Sequence, residues 1–262
     1  MKGKDLKNSI LQMAVQGKLV PQDPNDESAS VLLEHIREQR RQLIAEGKLK
    51  APKGGESVIY RASDGSHYEK RIDAKGRVLS DECIEDEIPF EIPESWEWAR
   101  LGFIFDMQAG KNISASKINK ERNDCYRHPC FGGNGIRGFV EMPNRDGRHP
   151  VVGRQGALCG CVNLAEGKFY ATEHAIVTTC LGEADVDWGC FVLEALNLNQ
   201  YATATAQPGL AVSKIVEVLV PVPPAFEQIR IADQLTNLKP LVLQYDALES
   251  ARQQLDAELP DR

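Results

Sequence analysis

The sequence predicts an α+β protein: one globular mixed α/β domain, followed by a long coiled-coil helix and preceded by a short helical region. Between residues 98 and 222, short β-rich runs alternate with Gly and Asn turns, and one amphipathic helix, residues 187–196, interrupts them. After Pro223 and Pro224, apolar residues recur at steps of three and four. Such a narrow apolar stripe must be covered by the same molecule or by a partner.

The long helix is predicted over residues 223–262 and is expected to dock a partner. Its stripe consists of Ile231, Leu235, Leu238, Val242, Tyr245 and Leu248. Pro240 lies inside this stripe. Because proline removes a main-chain hydrogen bond and clashes with the preceding turn, we expect a kink or break near Lys239 and two segments, about 225–238 and 240–259.

The first 97 residues divide into a helical region, residues 1–50, and a polar, acidic connector, residues 51–97. Helices are predicted over residues 5–16 and from Ser28 or Ser30 to about residue 46, each ended by a glycine, Gly17 and Gly47. Residues 48–80 are expected to be loosely ordered, with a hairpin around Ser63-Asp64-Gly65.

Strands are predicted in the α/β domain, residues 98–222, from runs of β-branched and aromatic residues between turns. The predicted strands are residues 138–141, 150–153, 157–162, 169–170, 175–179 and 214–220. A further strand is expected where Trp96, Trp98 and Leu101 alternate with charged residues.

Composition limits the location and the class of the protein. The longest apolar run falls short of a membrane span, and the polar N-terminus lacks a signal-peptide core, so we expect a cytoplasmic protein that contacts no membrane. Seven irregularly spaced cysteines fit reduced thiols there. The net charge is −7, yet residues 98–170 carry a balance of +5. A positive block can face phosphate, although such blocks are also typical of solvated surfaces.

Motifs for catalysis or metal binding are weak. Residues 133–138 fit GxGxxG, but the following residues favour a strand over the helix that a dinucleotide site requires, so the glycines are interpreted as turn formers around Asn134-Gly135. The cysteine pairs 125/130 and 159/161 lack zinc-ligand spacing. Glu173 beside His174 could be half of a catalytic pair, but no nucleophile is identified, so the ring of His174 is interpreted as held by a neighbouring carboxylate or backbone group. The sequence therefore predicts no catalytic residue, no metal site and no cofactor in this chain.

Polar side chains suited to reading nucleic acid cluster in the positive segment and in the turns after it. Arginine suits guanine, and Asn or Gln suits adenine in the major groove. The candidate DNA-binding residues are Lys111, Asn112, Ser114, Lys117, Arg137, Arg154, Gln155, Thr205 and Gln207. Lys117, Lys120, Arg122 and Arg127 are candidates for holding phosphates, which fix the register of a protein on DNA.

Four segments, taken in order, resemble the specificity (S) subunit of type I restriction–modification systems. They are LKNSILQMAVQGKLVPQ (6–22), IPESWEW (92–98), GGNG (132–135) and PVPPAFEQ (221–228). The start of the domain at IPESWEW and its end at PVPPAFEQ are together the most specific, and the resemblance covers essentially the whole chain.

The resemblance implies a non-catalytic subunit that reads double-stranded DNA and carries no cofactor. In this family, two target-recognition domains each read half of a bipartite site, and two antiparallel long helices set the spacer. Methyltransferase (M) subunits with S-adenosylmethionine, and restriction (R) subunits with ATP and Mg, are the expected partners.

This sequence departs from that pattern because it contains one recognition domain and one long helix, in an order that looks circularly permuted. It is therefore expected to be a half subunit that pairs with a second copy of itself, or the first half of a longer subunit. Two alternatives stay open: a nucleotide-binding oxidoreductase that uses residues 133–138, and a coiled-coil scaffold without DNA contact.

Overall fold

A computed structural model describes residues 3–156, 158–203 and 208–258. Its α-helices are α1 (Gly3–Val15), α2 (Ala29–Ala45), α3 (Leu101–Ile104), α4 (Val186–Ala195), α5 (Val212–Ile215) and α6 (Ala225–Glu258). Its first strands are β1 (Glu56–Arg61), β2 (His67–Ile72), β3 (Val78–Cys83), β4 (Glu97–Arg100), β5 (Phe105–Ala109) and β6 (His128–Gly132). The others are β7 (Gly135–Val140), β8 (His149–Gly153), β9 (Val162–Ala165), β10 (Tyr170–Ala171), β11 (Ala175–Cys180) and β12 (Leu219–Val222).

The α/β domain is built on a four-stranded antiparallel sheet in the order β5-β11-β8-β9. A smaller sheet in the order β10-β6-β7 lies beside it, and β12 pairs with β4 where the chain enters and leaves the domain. This mixed architecture with a long C-terminal helix confirms the predicted fold class at that level. No helix in the described ranges is both long and apolar enough to cross a membrane.

Strand β11 separates two apolar cores because successive side chains of a strand point to opposite faces. Ile176 belongs to the main core, which includes Phe105 and Trp188 and extends to the helices. Val177 belongs to a second core, where Phe131 and Phe169 meet edge to face at 5.6 Å. The smaller sheet is therefore held against the larger one by its own apolar layer.

Both N-terminal helices agree with the prediction to within two residues. Gly17 and Gly47 follow their last turns with left-handed φ values of 68° and 70°, which a side chain would disfavour. Lys18 N donates to Met13 O, and Gly17 N donates to Ala14 O, so the last carbonyls of α1 are satisfied. Ser28 occupies the N-cap of α2, but its hydroxyl makes no capping hydrogen bond.

The expectation of loose order over residues 48–80 is wrong. β1, β2 and β3 form an antiparallel sheet, and only the hairpin around Ser63-Asp64-Gly65 was predicted, with Ala62 N donating to Ser66 O. Buried Arg100 ties this sheet to the α/β domain by donating to both carboxylate oxygens of Glu69, at 2.8 and 3.2 Å, and to Glu87. Burial alone would raise the pKa of Glu69, but hydrogen bonds from Arg100 and Ser57 outweigh it and lower that pKa.

Removing Arg100 should destabilise the protein strongly. Arg100→Leu removes two hydrogen bonds from the buried Glu69 carboxylate and leaves only Arg71 beside it, at 2.9 Å, so we expect the free energy of unfolding to fall by about 3 kcal/mol. Urea unfolding measures this loss. Arg77→Leu is the control because it removes the largely exposed cation of the Asp73 pair, so stability should hardly change. Equal losses in both variants would contradict this role of Arg100.

The first turn of α6 is a buried junction, which gives PVPPAFEQ and IPESWEW their structural role. Glu227 accepts hydrogen bonds from Gln22 at 2.6 Å and from Trp96 Nε1 at 2.9 Å. Gln228, fully buried, accepts from Asp185 N at 2.9 Å. Asp185 in turn caps α4 through Trp188 N. The direction of α6 is therefore fixed against both the N-terminal region and the α/β domain.

Helix α6 is continuous over 34 residues, so the expected division into two helices at Pro240 is wrong. A bend there stays a prediction. The N-terminal part of its stripe packs within the molecule, where Ile231 and Leu235 are buried. Leu238, Val242 and Tyr245 are half-buried, and Leu248 is 64% exposed. The stripe is therefore covered by the same chain over its first turns only.

Two of the predicted strands are also wrong in place. Residues 158–160 form a turn before β9, and residues 212–215 form α5 before β12. Within the α/β domain, β5 and β6 were not predicted at all. Val186–Ala195, Ala175–Cys180 and His149–Gly153 match their predicted elements closely.

Candidate nucleic-acid interface

Four of the candidate residues lie at one end of the four-stranded sheet. Ala109, at the end of β5, pairs with Ile176, and Gly153, at the end of β8, pairs with Ala175. Because antiparallel neighbours run in opposite directions, the loops after β5 and β8 and the loop before β11 emerge together. Lys111, Asn112, Arg154 and Gln155 follow these two strand ends directly.

The tip of the β6–β7 hairpin joins the same surface. A side chain at Gly133 would collide with the main-chain oxygen of Gln155, and one at Gly153 would collide with Gly133 O. Gly135 has a φ of 78°, as the predicted Asn134-Gly135 turn requires. Residues 133–138 are thus a hairpin and the start of a strand, which confirms the turn interpretation and contradicts a dinucleotide-binding helix.

The loop that begins with Lys111 and Asn112 is fixed by its main chain and leaves both side chains exposed. Lys111 N donates to Ala171 O at 3.0 Å, and Tyr170 Oη donates to Asn112 O at 3.1 Å. Further along, Ser114 is exposed and shares a hydrogen bond with the hydroxyl of Ser116 at 2.9 Å. A held backbone with free side chains suits a recognition loop.

Arg154 and Gln155 lie at the centre of this surface and are half-buried. Arg154 N donates to His174 O at 2.8 Å, and Arg154 Nη1 donates to Glu173 O at 3.2 Å. In the described ranges, Arg154 Nε and Glu173 Oε2 are buried without a hydrogen-bond partner. Gln155 is bridged to Gly209, so the loop around residue 209 is attached to the end of β8.

Thr205 and Gln207 lie outside the described residues. The residues that follow them are anchored at the candidate surface, because Gly156 N donates to Pro208 O at 3.0 Å and Leu210 N donates to Arg154 O at 2.8 Å. Their proposed contact with DNA stays a prediction.

Six exposed cations around this surface make no ion pair within the described parts of the chain. They are Lys111, Lys117, Lys120, Arg122, Arg127 and Arg137. The loop between β5 and β6 carries five of them and lies across β7, where Asn119 is bridged to Phe139. At the opposite end of the sheet, by contrast, Arg148 pairs with Glu166 and Asp187. The positive charge of this loop and of Arg137 on the hairpin is therefore left available for an anionic ligand.

Burial keeps two of the cysteines in the thiol form, and His174 lies beside Glu173. Burial raises the pKa of the Cys130 thiol to about 11 and that of Cys180 to about 12, so both thiols stay protonated at neutral pH. His174 Nε2 lies 3.3 Å from Glu173 Oε1, a distance that agrees with a ring beside the neighbouring carboxylate.

Sequence reasoning missed the contribution of the hairpin tip beyond Arg137. Asn134 and Ile136 are both exposed there, and Asn163 lies beside Gly135. The Asn-Gly turn signal could have drawn attention to Asn134. The exposure of Ile136 could not be read from a strand pattern, in which isoleucine normally indicates burial.

Comparison with known proteins agrees with this architecture. Residues 93–244 match the family model described as the type I restriction modification DNA specificity domain. The chain is 50% identical to the type I restriction enzyme EcoprrI specificity subunit from Escherichia coli over 143 residues, which are 52% of this chain and 36% of that protein. The chain thus spans about a third of the length of this curated relative.

Two solved structures share the fold. The S subunit of a type I restriction–modification system from M. genitalium superposes with a TM-score of 0.50 and 21% identity, covering 62% of this chain and 44% of that one. A second solved structure comes from work on complex assembly and conformational transition of the type I R-M system. It superposes with a TM-score of 0.51 and 17% identity, covering 85% of this chain and 52% of that one. Because the family model matches more than half of its residues, the chain belongs to the type I restriction modification DNA specificity domain family.

Proposed function

We propose that this chain recognises a DNA sequence as the specificity component of a type I restriction–modification complex, reading one half of a bipartite site. The observation that carries the proposal is the set of six exposed cations without ion pairs, among the described residues, on the loop between β5 and β6 and on the β6–β7 hairpin. The chain as a whole has a net charge of −7, so this concentration of unneutralised positive charge is local. Duplex DNA is the polyanion that such a surface fits.

The roles of the candidate residues follow from their positions. Lys117, Lys120, Arg122 and Arg127 lie on the exposed loop across β7 and would hold phosphates. Arg137, Arg154, Asn112 and Gln155 surround the hairpin tip and would face base edges, because Arg, Asn and Gln match the major-groove pattern of purines. A two-stranded hairpin is also narrow enough to enter that groove.

The chemistry of the complex would reside elsewhere. We propose that the chain is non-catalytic and binds no cofactor, and that methyltransferase subunits with S-adenosylmethionine and restriction subunits with ATP and Mg act on the DNA it selects. Helices α1 and α2 together with α6 would dock the methyltransferase subunits. The cytoplasm, where the bacterial DNA lies, is the compartment that this function requires.

Helix α6 would pair with the same helix of a second copy. Leu241, Leu248 and Leu255 are exposed and seven residues apart, which is the spacing of a coiled-coil seam. The described part of the chain leaves all three side chains largely exposed. A two-fold dimer would present two identical recognition surfaces and would read inverted half-sites.

The scaffold alternative makes the opposite prediction about DNA, so selection from a random duplex library separates the two. The full chain, alone and with a methyltransferase subunit of its own system, is offered duplexes that carry a randomised segment. We expect enrichment of a defined half-site and binding that weakens steeply with salt. A library that stays random with both preparations would contradict DNA recognition and favour a scaffold.

A further inference from the structure

The tip of the β6–β7 hairpin exposes two consecutive side chains of unlike chemistry. Strand pairing jumps from Cys130–Gly138 to Phe131–Ile136, so Arg137 is the extra residue of a bulge. In a regular strand, neighbouring side chains point to opposite faces. Here the bulge leaves both Ile136 and Arg137 exposed, Ile136 to 55%.

An exposed isoleucine alone means little, because many surface residues are apolar. Ile136 differs because of its surroundings. It lies between Asn134, which is exposed at the turn, and Arg137, which makes no ion pair in the described parts of the chain. Its hairpin tip contacts Gln155 and Gly153 at the centre of the candidate surface. An apolar group thus projects from the hairpin tip between polar and cationic side chains, and Leu158 in the loop after β8 is equally exposed.

We propose that Ile136 selects thymine in the half-site by packing against its 5-methyl group in the major groove. The inference rests on the proposed DNA recognition. Among the four bases, thymine alone presents an apolar group on its major-groove edge. If the hairpin tip enters the groove, Ile136 is buried most favourably by packing against a thymine methyl group. Arg137 then donates to a neighbouring phosphate or purine.

The test changes one methyl group on the DNA and leaves the protein intact. Each thymine of the selected duplex is replaced in turn by uracil, and the affinity of the full chain is measured for each duplex. At one position, uracil should weaken binding about fivefold, as expected when one buried methyl contact is lost. Ile136→Ala should bind the thymine and uracil duplexes equally. Val78→Ala, at a β-branched residue of equal exposure on β3, should keep the fivefold difference.

The outcomes separate this inference from the function on which it rests. Wild-type affinity that is unchanged by every uracil would overturn thymine selection while sequence recognition stands. A uracil effect that persists in Ile136→Ala would overturn Ile136 as the reader. Failure of the library to yield any half-site would overturn the proposed function, and the inference would fall with it.

Discussion

Replacing Lys117, Lys120, Arg122 and Arg127 together by glutamine should lower the affinity for duplex DNA by at least about a hundredfold at about 0.1 M salt. Each phosphate contact contributes a slope of about −0.9 to the dependence of log affinity on log salt. The slope should therefore become shallower by about 3 to 4 units. The loss should be nearly uniform across sequences, because phosphate contacts do not distinguish bases.

The matched control removes the same charge elsewhere. Lys50, Lys53, Lys75 and Arg77 are exposed near the N-terminal sheet, and their joint replacement by glutamine changes the net charge equally. Fluorescence anisotropy across a series of salt concentrations gives affinity and slope for both variants. If the two variants lose the same affinity, the effect is one of net charge, and the loop across β7 does not hold phosphates.

Disrupting the exposed seam of α6 should abolish self-association. Leu241, Leu248 and Leu255 are 58%, 64% and 62% exposed in the single chain, and Leu238 and Tyr245 flank them. Replacing the three leucines by aspartate places charges where the second helix would pack, and burying unpaired charges is strongly unfavourable. Light scattering should show the mass fall from two chains to one.

The control for the seam uses the opposite side of the same helix. Thr236→Asp, Ser250→Asp and Gln253→Asp add the same charge at exposed positions about half a turn away from the seam. This variant should keep the mass of two chains. A wild-type chain that is monomeric at every concentration would contradict pairing with a second copy.

The sequence predicted elements whose signals are local. Helix α4 carries an apolar face at helical spacing. Gly47 ends α2 because a glycine readily adopts the left-handed φ of 70° that follows the last turn. Strand β2 could not be predicted this way, because Glu69, Lys70 and Arg71 are charged residues in succession. Its order depends on Arg100, which lies 31 residues from Glu69 in sequence. A partner at that distance leaves no trace in a short window of sequence.

Pro240 shows a different limit. A proline removes one main-chain hydrogen bond, and this loss costs most free energy where the helix is buried, but Pro240 is exposed. The carbonyl that it leaves without a partner can then bond to water, so the helix continues. Exposure of a single residue therefore decides between a break and a continuous helix, and exposure is set by the tertiary fold.

The candidate surface was predicted in its chemistry but not in its geometry. The sequence predicts Lys111, Arg137 and Arg154 as DNA-binding residues because their side chains suit phosphates and purines. Their convergence follows from the order β5-β11-β8 and from the approach of Gly133 to Gln155. Neither the strand order nor that approach can be read from spacing along the chain.

The central claim is that the end of the β5-β11-β8-β9 sheet reads DNA sequence. The most direct measurement is the ratio of dissociation constants of the full chain for its selected duplex and for a duplex of scrambled half-site, with and without a methyltransferase subunit. The expected ratio is roughly a thousandfold or more at physiological salt. A ratio near one, with the methyltransferase subunit present, would contradict the claim.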